Sequence, residues 1–197
     1  MHHSLSLLLV IIGLQVSVQS TGRRSEFRSV LTVPNGMKWG SWGYLDLCPN
    51  GTYAAGFSLK VYRPSSNAGD DNRVLTGIRL YCTNVFKDSY LDYRQSVQSE
   101  VDRSGQWIFN RLDGFCSCVS LLTAFQLRFE DGMATNIKFN CSREQVLEGD
   151  GRSRGEWSGW SQKCEGIGIC GISTLREGPQ GNRNYSVLKN VRMYCCS

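Results

Sequence analysis

The sequence predicts a secreted, all-β protein that is stapled by disulfides and built from three copies of one motif. Three observations lead to this prediction: a short apolar run at the amino terminus, nine cysteines in 197 residues, and a set of landmarks that recurs three times. A chain of this length can bury one sizeable core, so a single domain over residues 21–197 is expected.

The apolar run is typical of a secretory signal peptide. It extends from Leu5 to Leu14, and small polar residues follow at Ser17 and Ser20. A bilayer-spanning helix needs about 20 apolar residues, so this run is too short to span a membrane. We expect residues 1–20 to be removed and the product to be extracellular, with no membrane partner.

The composition argues against several classes of function. The formal net charge is +5 and the basic residues are scattered along the chain, so no nucleic-acid partner is expected. The two histidines are His2 and His3, both inside the predicted signal peptide. Catalytic triads and histidine metal sites therefore lack their central group. We expect no catalytic residue, no metal, no cofactor and no enzymatic activity.

One six-residue motif occurs three times, at residues 77–82, 136–141 and 190–195. Each copy reads small, apolar, basic, apolar, polar, cysteine. A second cysteine precedes each copy, which indicates one disulfide pair for each unit. Recurring landmarks of this kind are the mark of a repeat architecture.

A tryptophan motif is predicted to open each unit. The copies lie at residues 39–43, 105–109 and 155–160. In this alignment Phe109 stands where Trp42 and Trp160 stand in the other copies, so the second motif is interpreted as degraded. The three units are then predicted at about 28–90, 91–145 and 146–197.

Within the units, apolar and polar residues alternate. Phe57, Leu59 and Val61 are separated by polar residues, and the same period recurs at residues 125–130 and 77–82. A period of two predicts strands with one buried face, and glycine-rich breaks between them predict turns. Three such sheets can turn their apolar faces toward a common axis and share one core.

Together these motifs resemble the vitelline membrane outer layer protein family along nearly the full mature length. The resemblance lies at residues 39–42, 48–61, 69–72, 77–82 and 195–196. It implies a β-prism, in which three Greek-key sheets are related by a pseudo-threefold repeat. It also implies an extracellular coat or secretion, with glycans or coat glycoproteins as partners.

The repeat predicts the disulfide map. Three pairs follow from the units, and the adjacent Cys195 and Cys196 should take different partners because they point to opposite faces of a strand. The predicted bridges are Cys48–Cys82, Cys116–Cys141, Cys164–Cys195 and Cys170–Cys196.

A sugar-binding site is predicted in the first unit, where the family's acidic loop is complete. The candidates are Asp70, Asp71, Asn72, Trp39 and Trp42, because carboxylates can bind vicinal hydroxyls and tryptophan offers a stacking face. The alternative, which the sequence favours, is that the loop residues cap a turn and the tryptophans pack the fold.

The predicted function is that of a secreted coat or matrix component that binds carbohydrate. The alternative is a glycosidase or transglycosylase acting on amino-sugar oligosaccharides. Such an enzyme needs two carboxylates across a cleft, and the candidates are Glu156, Glu130, Asp70 and Asp71.

Three sequons predict sites of N-glycosylation, at Asn50, Asn140 and Asn184. Asn50 is the best candidate because it lies in a predicted turn. Asn140 is the weakest, since its neighbour Cys141 is predicted to be bridged within a strand.

Cys118 has no counterpart in the other two units, so the repeat gives it no partner. It is either a buried inert thiol or the bridge of a disulfide-linked homodimer. On a non-reducing gel of the secreted protein, the bridge interpretation predicts a dimer that is lost in Cys118→Ser. A monomer in both samples would contradict it.

Overall fold

The computed structural model describes residues 24–34, 39–64, 72–84, 95–108, 114–117 and 119–197. The predicted signal peptide, Asp70, Asp71, Phe109 and Cys118 lie outside these residues. Where it is described, the chain consists of β-strands joined by turns and loops, as the sequence predicts. No helix in this part of the chain is long and apolar enough to cross a membrane.

Six long strands form three hairpins. They are β4 (Tyr53–Tyr62) with β5 (Val74–Thr83), β8 (Leu122–Glu130) with β9 (Met133–Cys141), and β12 (Gly168–Glu177) with β13 (Val187–Cys196). The short strands are β1 (Ser29–Leu31), β2 (Ser41–Trp42), β3 (Asp46–Leu47), β6 (Gln95–Val97), β7 (Gln106–Ile108), β10 (Val146–Glu148) and β11 (Glu156–Trp157). Each hairpin is the centre of one sheet.

The first two sheets are Greek keys of four antiparallel strands. The first has the order β6-β5-β4-β7, and the second has the order β10-β9-β8-β11. In both, the fourth strand returns to lie beside the first, which is the arrangement that defines a Greek key.

The third sheet combines the two ends of the chain. Strand β1 pairs with β13, while β2 and β3 both pair with β12. The segment 29–47 therefore supplies the outer strands of a sheet whose central hairpin lies at the other end of the sequence. The three sheets form a β-prism of three Greek keys, which confirms the predicted fold class.

Strand pairing corrects the predicted role of the tryptophan motifs. Trp107 in β7 pairs with β4, and Trp157 in β11 pairs with β8, so each closes the hairpin before it. Trp42 in β2 pairs with β12 of the third sheet. The motif therefore ends a sheet and does not open one. A repeat is unchanged by cyclic permutation, so its period alone does not tell where a unit begins.

The alignment of the tryptophans is corrected as well. Three glycines with positive φ stand two residues before them: Gly40 (φ 133°), Gly105 (φ 93°) and Gly155 (φ 100°). At each, a Cβ would lie 2.3 to 2.7 Å from a carbonyl oxygen of the neighbouring strand, so glycine is needed there. The counterpart of Trp42 is therefore Trp107, not Phe109, and the second motif is complete.

The inner faces of the three sheets share one hydrophobic core. Its buried side chains include Leu59, Ile78, Leu80, Phe125, Ile137, Phe139, Ile172, Val191 and Met193. Phe57 of the first sheet contacts Phe139 of the second, with ring centroids 4.8 Å apart. Burying one such side chain contributes about 1.5 to 3 kcal/mol, so each sheet depends on the other two to cover its apolar face.

Each hairpin carries a β-bulge at the same position. The extra residues are Ala55, Thr123 and Cys170. A bulged residue is left out of the strand ladder, so its carbonyl is free to accept another hydrogen bond. Cysteine N–H groups donate these bonds, Cys116 to Ala55 (2.8 Å), Cys164 to Thr123 (2.8 Å) and Cys48 to Cys170 (2.7 Å).

The same three cysteines are disulfide-bonded to the next sheet. Cys48–Cys82 joins the third sheet to the first, Cys116–Cys141 the first to the second, and Cys164–Cys195 the second to the third. The fourth bridge, Cys170–Cys196, lies within the third sheet. These are the four predicted pairs, but three of them connect neighbouring sheets and close a ring around the prism.

Replacing Cys116 and Cys141 by alanine should lower the free energy of unfolding by about 3 to 4 kcal/mol, because the unfolded chain regains the entropy of a loop of 25 residues. The matched control is the alanine pair at Cys170 and Cys196, which releases a loop of 26 residues within one sheet. Denaturant titration measures the free energy of unfolding of both double-alanine variants. A loss below about 1 kcal/mol for the first pair would contradict a stabilising role for the ring.

Candidate functional site

The outer face of each sheet carries a cation stacked on a tryptophan ring. The pairs are Arg79 on Trp107 (4.0 Å), Lys138 on Trp157 (4.3 Å) and Arg192 on Trp42 (3.9 Å). The cations are the basic residues of the repeated six-residue motif. Such a pair stabilises by about 0.5 to 1 kcal/mol at an exposed site. The basic position is visible in the sequence, but its contact with tryptophan is visible only in the folded chain.

Trp39 departs from the threefold pattern. It is 84% exposed, and the residues at its position in the other two sheets are Ser104 and Arg154. Its neighbours are also exposed, Tyr44 to 57% and both Trp42 and Leu45 to 37%. We call Trp39, Trp42, Tyr44 and Leu45 the aromatic edge. The other two sheets pack without an aromatic ring at this position. The packing that the three sheets have in common therefore does not require Trp39.

The backbone of the aromatic edge is fixed from two sides. Three hydrogen bonds hold it, from Gly43 N to Thr174 O (2.8 Å), from Ser99 Oγ to Tyr44 O (2.8 Å) and from Gln98 N to Asp46 Oδ2 (3.1 Å). The first joins the edge to the third sheet, and the other two join it to the loop after β6 in the first sheet. The backbone from Gly43 to Asp46 is therefore fixed next to the exposed rings.

Two charged side chains lie beside the aromatic edge. The carbonyl of Arg176 contacts Gly40, and a Cβ on Gly43 would lie 2.9 Å from the Cβ of Glu100. The Arg176 guanidinium is 3.9 Å from the Glu100 carboxylate, which is itself well exposed. An exposed carboxylate close to exposed aromatic residues is an arrangement that suits a sugar, which has an apolar face and a rim of hydroxyls. Sequence reasoning missed both charged residues, since they are distant from Trp39 in the chain.

The predicted site residues are distributed over more than one sheet. Trp39 and Trp42 lie together in the third sheet, whereas Asn72 is exposed just before β5 in the first. Its neighbour Arg73 pairs with Asp150 at 2.7 Å. Asp70 and Asp71 are outside the described residues, so their participation in one site with the tryptophans stays a prediction.

The three predicted glycosylation acceptors differ in their surroundings. Asn50 is exposed in a turn in which the Thr52 hydroxyl donates to the carbonyl of Pro49 at 2.8 Å. Asn184 is exposed in the loop before β13. Asn140 is half-buried within β9 and is opposite Val146 in the ladder, so a folded chain hides it.

Asp102 connects the loop that supports the aromatic edge to the third sheet. Its carboxylate accepts hydrogen bonds from Ser104 N (2.7 Å) and Ser186 N (2.8 Å). Burial alone would raise the pKa of Asp102, but the hydrogen bonds from Ser186 and Ser104 outweigh it, and the pKa lies below its ordinary value of 3.8. Next to Ser186, the Tyr185 ring packs at a tilt against Tyr62 of β4, with centroids 4.5 Å apart.

Fold and surface together define a class of protein: a β-prism ringed by disulfides, with exposed aromatic residues along the edge of one sheet. Residues 29–197 match the family described as vitelline membrane outer layer protein I (VOMI). The chain is 34% identical over 201 residues to the human vitelline membrane outer layer protein 1 homolog, covering 98% of this chain and 95% of the relative. The mouse homolog is 35% identical, with 96% of each chain covered. The chain therefore belongs to the vitelline membrane outer layer protein I family.

Similar chains also occur among solved structures. The Calsepa lectin in complex with a bisected glycan has a TM-score of 0.48 and 12% identity. The match covers 88% of this chain and 100% of the lectin chain. A prostate-specific WGA16 glycoprotein lectin has a TM-score of 0.47 and 8% identity, covering 83% of this chain and 96% of that one. Neither similarity assigns a ligand to this chain.

The lowered pKa of Asp102 predicts a pH-dependent contribution to stability. A carboxylate whose pKa is lower in the folded state stabilises the fold above its ordinary pKa of 3.8, and this contribution is lost as the pH falls through the folded-state value. Thermal melts should therefore show Asp102→Asn less stable than the native protein at pH 7. The difference in stability between the variant and the native protein should shrink below pH 3.8. A difference that is constant with pH would contradict this account.

Proposed function

We propose that this protein is a secreted component of an extracellular coat and that it binds carbohydrate through the aromatic edge. The observation that carries the proposal is Trp39, a large apolar ring that is 84% exposed. Exposed aromatic groups grouped with polar ones are typical of binding surfaces.

The coat assignment draws on the relatives and on the cysteines. The human and mouse relatives are named for the outer layer of the vitelline membrane. Four disulfides are typical of proteins that act in an oxidising, extracellular environment. The signal peptide predicted at residues 1–20 agrees with this location.

Sugar binding at the aromatic edge uses two kinds of contact. The Trp39 ring can stack on the apolar face of a saccharide, while the exposed Glu100 carboxylate can accept hydrogen bonds from hydroxyl groups. Asp70, Asp71 and Asn72 are proposed as further hydrogen-bonding partners on the evidence of the sequence.

The geometry favours binding over hydrolysis. Glycosidases hold two carboxyl groups about 5 to 9.5 Å apart across a cleft that admits a sugar. Among the described residues, Glu148 and Asp150 line one small cavity of about 20 Å³, which is room for a water molecule only. Glu148 is paired with Lys138, and Asp150 with Arg73. Of the predicted catalytic candidates, Glu130 is paired with Arg152 at 2.8 Å.

The decisive variant is Trp39→Ala. A glycan array should first identify a ligand of the purified mature protein, and calorimetry should then show about fivefold weaker binding by the variant, since a lost stacking contact costs about 1 kcal/mol. The melting temperature should not change, because Trp39 is not packed in the core.

Trp160→Ala provides the matched control, since Trp160 is 42% exposed after β11 in the second sheet. It should bind the ligand as the native protein does. Asp70→Asn with Asp71→Asn tests the proposed loop partners in the same assay. The proposal is wrong if the array shows no ligand, or if both tryptophan variants bind equally well.

A further inference from the structure

A cleft of about 690 Å³ lies where the described chain begins and where β13 ends. Segment 24–28 forms one wall, the turn with Asn50 and Gly51 forms another, and Cys196 with Ser197 completes the lining. Pockets for small ligands commonly measure about 300 to 1,000 Å³, so a monosaccharide or a disaccharide fits here. None of these residues belongs to the aromatic edge.

The wall formed by segment 24–28 is held in place by contacts with β13. Arg28 N donates to the carbonyl of Cys195 at 2.7 Å. The ring of Phe27 meets that of Tyr194 edge-on, with centroids 4.8 Å apart. The cleft is therefore bounded by ordered backbone next to the ring of disulfides.

Arg24 is the unusual residue of this cleft. Only 9% of it is exposed, and its guanidinium lies over the Tyr53 ring at 4.8 Å. Its Nη1 atom is buried and has no hydrogen-bond partner among the described residues. A buried guanidinium nitrogen without a partner is costly, and an oxyanion that accepted its hydrogen bond would remove the cost.

Charged groups of both signs line the cleft. Arg28 lies there together with Arg24, opposite the Glu26 carboxylate and the last residue of the sequence, Ser197. Two guanidinium groups can bind the oxygens of a carboxylate or a sulfate with paired N–H donors, which an ammonium group cannot do. The net charge of +5 adds a weak attraction for anions at longer range.

We infer that this cleft binds the oxyanion of an acidic saccharide, with Arg24 as the buried anchor and Arg28 at the rim. The ligand is a sugar bearing a sulfate ester or a carboxylate, since both present the same oxygen acceptors. The site is separate from the aromatic edge and extends the proposed function to a second class of glycan. Trp39→Ala should leave binding here unchanged, so the two proposals can fail independently.

Calorimetric titration tests this site with three sugars: N-acetylglucosamine 6-sulfate, glucuronic acid and neutral N-acetylglucosamine. At least one acidic sugar should bind ten times more tightly than the neutral one, and the two acids distinguish sulfate from carboxylate recognition. Arg24→Gln should weaken this binding at least tenfold. Arg143→Gln, which removes an exposed charge from the turn after β9, should not affect it.

Arg28→Gln keeps the test decisive if Arg24→Gln does not fold, since Arg28 is exposed and its variant should also weaken binding. Asn50 lines the cleft, so the titration is run before and after enzymatic removal of N-glycans. Binding that appears only after removal would support the site. Equal binding of acidic and neutral sugars, an equal loss in Arg143→Gln, or retained binding in both cleft variants would overturn the proposal.

Discussion

The connection between neighbouring sheets is the constraint on which the rest of the molecule depends. The inner faces of the three sheets share one core, and the apolar face of each sheet is covered only if the other two sheets stay in position. The β-bulges make this possible, because each leaves a carbonyl for the cysteine N–H at the end of an outer segment. The same cysteine is then bridged to the next sheet, so backbone and disulfide act at one point.

This arrangement also explains why the aromatic edge is ordered. The segment that carries Trp39 and Trp42 comes early in the chain but completes the third sheet, whose hairpin comes last. Cys48 follows directly and bridges to Cys82 in the first sheet. Ordering a free terminus on binding would cost conformational entropy, whereas here β2 is already paired with β12 before any ligand arrives.

Much of the fold could be predicted from the sequence, because the alternation of apolar residues and the recurring cysteines are local signals. The order of the strands could not be predicted in the same way. Trp107 and Phe109, for example, both fit the spacing of a tryptophan motif, and only the pairing of Trp107 with β4 decides between them. The charged neighbours of Trp39 were missed for a similar reason. Glu100 follows β6 of the first sheet and Arg176 lies in β12 of the third, and no pattern in the sequence joins either of them to Trp39. Arg24 was missed because its contact with the Tyr53 ring joins positions that are far apart in the chain.

The central claim is that the three sheets form one cooperative unit closed by the ring of disulfides. Native-state hydrogen exchange measured by mass spectrometry tests it most directly. The amides of β5, β9 and β13 should exchange with the same free energy and through one global opening. If β13 and its partner β1 exchanged well before the other two sheets, the third sheet would open alone and the account would be contradicted.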